Sequence, residues 1–159
     1  MAICKDPSTL AAAMNSDAVY SSGTATSQKN LTLEFSRRAR GIPVWAILRT
    51  LGRNGVAEMV DRHCAQATQL ADTLRAEGFD VIDRVVLNQL IVRGQNDEET
   101  RAIQSAAHES GEVWFGMSSW DGKAAFRLSI SSWRTTDEDI ARLVKVLVAG
   151  RNSYQHQAS

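Results

Sequence analysis

The apolar residues of this chain change their spacing at Gly78, and that change decides the class of fold open to it. Before Gly78, Val56, Met59, Val60, His63, Ala67, Leu70, Ala71 and Leu74 recur at three and four residues. That is one helical stripe of about six turns. After Gly78, Val81-Ile82 and Val85–Val92 are β-branched and apolar and read as strands. Asn96-x-x-Glu99 then makes a capping box for a helix through about Ser110. Val113–Trp120 and Ala124–Ser131 read as two strands joined at Asp121-Gly122, a hairpin turn pair. Thr135-x-x-Glu138 caps a last helix carrying Ile140, Leu143, Val144 and Leu147, and the polar residues 151–159 predict a frayed tail. With 159 residues and 43% hydrophobic content, the chain can bury one core. Antiparallel strands with helices segregated to one face make an α+β domain. That architecture alone names no function, since ferredoxin-like modules share it.

Upstream of the stripe the pattern is less regular. Asp6-Pro7 opens a short helix through Met14, with Asp6 as its cap. Residues 15–31 are dense in Asn, Ser, Gly and Thr, the composition of a long loop. From Leu33 to Leu51 the pattern is helical, and Pro43 forces a kink or a fresh start near Gly41. Gly52 suits a C-terminal cap and Asn54 an N-terminal one. The 18 basic and 18 acidic residues cancel, so no basic stripe invites nucleic acid. Cys4 and Cys64 are too few for a disulfide framework or zinc site, and no metal site is expected. No apolar run approaches the ~20 residues that span a bilayer. The first residues have neither a charged start nor an apolar signal core, and the sparse cysteines make a reducing cytosol, and so a cytoplasmic protein, the simpler expectation.

Two runs carry a more specific pattern. Ser36-Arg37-Arg38-Ala39-Arg40 precedes Pro43-x-Trp45-x-x-Leu48-Arg49-x-Leu51-Gly52-Arg53. Much later, Trp114-Phe115-Gly116-x-Ser118-x-Trp120-x-Gly122 leads to Arg127-x-Ser129-Ile130-x-x-Trp133-Arg134-Thr135-Thr136. Together they resemble the group II pyridoxal-phosphate decarboxylases, which include aromatic amino acid, histidine and glutamate decarboxylases. The later run resembles the bacterial branch. The likeness extends from Ile3-Cys4-Lys5-Asp6-Pro7 to the last helix. It implies the C-terminal small domain of a fold-type I pyridoxal-phosphate enzyme, with an L-amino acid as substrate. Residues 1–32 would be a large-domain remnant and mobile loop, residues 33–150 the small domain with its leading helices, and residues 151–159 the tail.

Arg127 is the sharpest single candidate. In Ala125-Phe126-Arg127-Leu128-Ser129-Ile130, alternation sends Phe126, Leu128 and Ile130 to one face and Arg127 and Ser129 to the other. A guanidinium on a rigid strand suits bidentate binding of a carboxylate, although an arginine on a solvated sheet face has the same pattern. The resemblance implies that Arg127 meets the substrate carboxylate. It also implies that Tyr20, on the mobile loop, protonates the carbanionic intermediate after carbon dioxide leaves. Met14–Tyr20 is similar to the family's loop, but Ser21 stands where a leucine is usual. Arg37 and Arg38 offer charge for a phosphate or carboxylate, or for ion pairs between domains or subunits. Trp45, Leu48 and Leu51 share a helical face and suit a core or an interface. Trp114 and Trp120 are expected on one strand face. His63 reads as a packing histidine, His108 as a residue late in a helix, and His156 as part of the tail.

The family's central residue is missing. Pyridoxal chemistry needs a Schiff-base lysine, an acidic partner for the pyridinium nitrogen and a phosphate cradle. The lysines are Lys5, Lys29, Lys123 and Lys145, and none follows a histidine as the family's does. The N-terminus, which reads as the tail of a strand, also hints at a fragment. The expectation is a decarboxylase C-terminal portion, inactive alone, that would use pyridoxal phosphate held elsewhere. The alternative is a non-catalytic dimerisation or regulatory module, pairing as a homodimer or with a full-length homologue. An unrelated α+β ligand-binding domain is the third possibility, and the paired motifs oppose it.

Overall fold

The computed structural model describes residues 5–14, 38–82 and 84–157. They fall into two compact units, within Met1–Ile47 and Leu48–Ser159. In the first, helix α1 spans Pro7–Met14. Asp6 caps it as expected, accepting from Ser8 N at 2.9 Å, Ser8 Oγ at 2.7 Å and Thr9 Oγ1 at 2.9 Å.

Helix α2 runs Gly41–Ala76 and begins afresh at Gly41, with Pro43 in the first turn, where no helical N–H is needed. At Gly52 the backbone leaves helical geometry (φ 61°, ψ −172°), a conformation that glycine reaches without a Cβ penalty. Two helical stretches therefore meet there. In the second stretch His63, Gln66, Ala67, Leu70, Ala71 and Leu74 are buried, while Val60 is 45% exposed. The inward stripe thus takes in the polar Gln66 and leaves out Val60. Gly78 ends α2 with φ 84°, and Phe79 N donates to Leu74 O while Gly78 N donates to Arg75 O. These are the paired bonds of a Schellman cap.

Strands β1 (Asp80–Ile82), β2 (Gln89–Arg93), β3 (Gly116–Trp120) and β4 (Lys123–Ser129) form one sheet in the order β1-β2-β4-β3. Every neighbouring pair is antiparallel. The β3–β4 turn has positive φ at both Asp121 and Gly122, the twist-matched form of a two-residue hairpin.

Three strands are shorter than the sequence predicts. Strand β4 ends at Ser129 rather than Ser131. Residues 85–87 lie outside the ladder, with Val86 and Leu87 more than 60% exposed. Residues 113–115 precede β3 without pairing, because the Phe115 backbone bonds instead to the ring of His108. Trp114 and Trp120 therefore do not share a strand face. Trp114 stacks on His108 with ring centres 5.9 Å apart.

Helix α3 is Asp97–Glu109, and Asn96 caps it by accepting from Glu99 N at 2.8 Å. Glu99 does not reach back to its cap residue. Its carboxylate accepts from Gln95 N at 2.5 Å and from Gln155 Nε2 at 3.0 Å, and the residue is only 2% exposed. Helix α4 is Asp137–Gln157. Its capping box is Thr136 with Asp139, one residue beyond the predicted pair. The expected frayed tail is helical through Gln157. Contacts hold it there: Arg151 lies over the Phe79 ring and donates to Glu77 O, and Gln155 binds Glu99.

The helices cover one face of the sheet. Leu70 and Leu74 of α2, Ile103 of α3 and Leu147 of α4 enclose Val92, Phe126 and Leu128 in one apolar cluster. The α+β architecture predicted from the change of period is the one observed. Among the described residues of the second unit, no helix residue lines the groove on the sheet's other face, and the candidate site lies there.

Candidate functional site

The open sheet face is built from the alternate residues of the strands that form the core. Phe126 and Leu128 are buried, whereas the alternate residues Arg127 and Ser129 are exposed, as the alternation predicts. Register places Ile91 of β2 and Gly116 of β3 opposite Arg127 on its two sides. Directly opposed residues share a face, so a branched apolar side chain flanks the arginine on one side. On the other side an added Cβ at Gly116 would meet nothing within 4 Å. Of its two directly opposed residues, only Ile91 on β2 offers Arg127 a side chain.

Arg127 lines an open groove of about 430 Å³. Ile82, Ile91 and Trp120 come from the same sheet face, and Arg84, Val86 and Leu87 form a rim where the chain crosses from β1 to β2. Trp120 is 45% exposed, leaving part of its ring to a ligand. Among the described residues Arg127 makes no salt bridge. A cation on a rigid strand, beside an apolar wall, suits an organic acid with an apolar body.

The rim is attached to the arginine's own strand. Ile130 N donates to Asn88 O at 2.9 Å, extending the β2–β4 ladder by one step. Asn88 Nδ2 donates to Ile130 O at 2.7 Å. The chain beyond Ile130 is held by α2. Arg62 donates to Trp133 O at 3.0 Å, His63 Nε2 lies 3.0 Å from Ser132 O, and Gln66 donates to Thr135 O and Asp137 Oδ1. His63 is thus the partnered packing histidine that the sequence predicts.

Of the other predicted site residues, Tyr20 and Arg37 lie outside the described residues. Arg38 is exposed just before α2, and its carbonyl accepts from Arg40 N at 2.8 Å. Arg38 belongs to the first compact unit and Arg127 to the second. The sequence reading missed the rim residues, because it assigned 85–88 to a strand. The signal available was Asn88, a poor strand former set between an apolar run and Gln89.

Comparison with known proteins identifies the chain's family. Residues 1–92 match the family described as pyridoxal-dependent decarboxylase conserved domain. The chain belongs to the pyridoxal-dependent decarboxylase family. The aromatic-L-amino-acid decarboxylase of Drosophila melanogaster is 24% identical over 160 aligned residues, covering 96% of this chain and 31% of that protein. The histidine decarboxylase of the same organism is 28% identical over 127 residues, covering 76% of this chain and 14% of that protein. The crystal structure of Oryza sativa TDC with PLP and tryptamine superposes with a TM-score of 0.76 at 17% identity, over 91% of this chain and 33% of that one. That likeness shows the fold. The chain spans about a third or less of the length of these relatives.

The described lysines do not fit the family's cofactor. Lys5 precedes α1 and Lys145 lies on the exposed side of α4. Lys123 alone lines a groove that also holds acids, beside Asp80, Arg93 and Asp97 at the start of α3. A phosphate there would face Asp80 and Asp97, and the acids in the first turn of α3 (Asp97, Glu98 and Glu99) already compensate the helix N-terminus. Asp97 is further engaged by Ala124 N at 3.0 Å. This is no cradle for a phosphate ester.

Proposed function

We propose that this chain is the C-terminal portion of a pyridoxal-phosphate-dependent L-amino acid decarboxylase, and that it supplies the arginine for the substrate carboxylate. The observation that carries this reading is Arg127, exposed on its sheet face in a groove with an apolar wall. In this reading Tyr20 is the proton donor, Arg37 and Arg38 lie toward the site or a domain boundary, and the Schiff-base lysine comes from polypeptide outside these residues. The cofactor is pyridoxal phosphate, and the setting is cytoplasmic. The aromatic amino acid and histidine decarboxylases among its relatives support an L-amino acid substrate.

The same reading makes the chain inactive alone. Pure protein mixed with pyridoxal phosphate is expected to show no Schiff-base absorbance that survives gel filtration, and to release no carbon dioxide from L-amino acids. A persistent Schiff-base band, or decarboxylation, would overturn it.

A second reading has its own observation. Near the start of α2, Ile42, Val44, Trp45, Ile47 and Leu48 are each more than half exposed. An apolar run of that kind marks a surface that associates. It supports a dimerisation or regulatory module that pairs with a second copy or with a full-length homologue. Sedimentation of the chain alone and with an intact homologue tests this, and a strictly monomeric, non-binding chain would exclude it.

A further inference from the structure

We infer that Asn88 is a positioning residue of the Arg127 groove, holding the apolar rim at a set distance from the guanidinium. The inference rests on the reading of Arg127 as a carboxylate-binding residue and adds what tunes its selectivity.

Asn88 stands where the chain stops crossing from β1 and enters β2. Its main-chain carbonyl accepts from Ile130 N at 2.9 Å, and its side-chain amide donates to Ile130 O at 2.7 Å. One residue thus satisfies both polar groups of Ile130, which lies three positions after Arg127 on the same chain. The two bonds close a small ring between Asn88, at the end of the groove's rim, and Ile130, on the segment that continues the strand of Arg127. Val86 and Leu87, immediately before Asn88, are 67% and 62% exposed, so packing does little to hold them. The Asn88–Ile130 pair is the described polar link between that rim and β4. Asn88 is itself half-buried, where water competes weakly for its amide.

The consequence is a division of labour. Arg127 supplies attraction for any carboxylate. Asn88 decides whether the apolar body of the acid also finds a wall in register. Removing the Asn88 amide frees the rim without touching the guanidinium. The loss then falls on acids with an apolar body and spares small acids. A merely structural role for Asn88 would lower stability and leave that preference unchanged.

The test uses the whole chain with two probes, propionate and 3-phenylpropionate, followed by NMR shifts of the Trp120 indole N–H and the Arg127 Nε–H. The wild-type chain is expected to bind 3-phenylpropionate about tenfold more tightly than propionate, roughly what burying part of a ring contributes. Arg127→Gln should abolish binding of both acids. Asn88→Ala should leave propionate binding as it was and cut the preference to about twofold or less. Asn88→Asp keeps the side-chain shape and loses the donor. Its added charge weakens both acids alike, so the ratio still reads the lost bond. That variant serves if Asn88→Ala does not fold. A folded Asn88 variant with an unchanged ratio overturns the inference while leaving Arg127 standing. A wild-type chain that binds neither acid, or binds both after Arg127→Gln, overturns the Arg127 reading and this inference with it.

Discussion

Consecutive residues of β4 live in opposite environments. Phe126 is fully buried against the helices, and its neighbour Arg127 is exposed in a groove on the sheet's bare side. The backbone between them is the same, and only the direction of the Cβ differs. The helix-covered face is held by close packing, where each lost methylene is felt. On the opposite face Arg127 is exposed and makes no salt bridge among the described residues, so its charge can serve a ligand. Stability and recognition are thus separated across one strand's thickness.

The largest expected effect breaks the covered face. Phe126→Ala should cost about 3–5 kcal/mol, measured by urea unfolding, because the ring is fully buried. A cost under about 1 kcal/mol would mean that the core tolerates a void at its centre.

A smaller effect belongs to the edge of that core. A Cβ on Gly94 would stand 2.5 Å from Glu99 Oε2, displacing a buried carboxylate from Gln95 N. Gly94→Ala should therefore cost about 1–3 kcal/mol, with the loss rescued in part by Glu99→Ala in the same chain. Additive costs would show that the two positions do not share a contact.

Removing the α3 cap with Asn96→Ala should cost about 1 kcal/mol in thermal or chemical unfolding. By contrast, Arg127→Gln should change stability by less than about 0.5 kcal/mol while abolishing carboxylate binding. A stability loss comparable to that of Phe126→Ala would erase the distinction between the faces.

The smallest effect is a pH dependence at two exposed helix starts. Bonds from Ser8, then Thr9, hold the Asp6 carboxyl below its ordinary value of 3.8. The Thr136 backbone N–H, then its hydroxyl, does the same for Asp139, aided by Arg142. Both groups are ionised more readily in the folded chain, so their contribution is present above pH 3.8 and fades as pH falls through their lower folded values. Asp139→Asn should flatten the acid limb of the stability–pH curve slightly. An unchanged acid limb would show that the capping bonds are equally made when Asp139 is protonated.

Local chemistry was readable wherever it depends on neighbours in sequence. Asp6 before Pro7, Asn96 before Glu99, the Asp121-Gly122 turn and the glycine stop at Gly78 all act within a few residues, and each is found in place. The alternation around Arg127 was readable for the same reason, since a strand's period is a property of its own backbone. The family was legible too, because its motifs are linear runs.

What required the tertiary structure was every feature set by partners far apart in the chain. Val85–Asn88 has the composition of a strand, yet only Asn88 keeps a ladder bond, to Ile130, 42 residues away, and Val86 and Leu87 are exposed. Residues 151–157 have the composition of a tail, yet Arg151 and Gln155 tie them to Glu77 and Glu99. Glu99 looked like half of a capping box, and burial turned it into a joint between α3 and α4. By itself the sequence determined the elements, the family and which side of β4 its arginine takes. Only the three-dimensional packing decided where strands end and which residues wall the groove. Those outcomes depend on hydrogen bonds whose partners no short window of sequence contains.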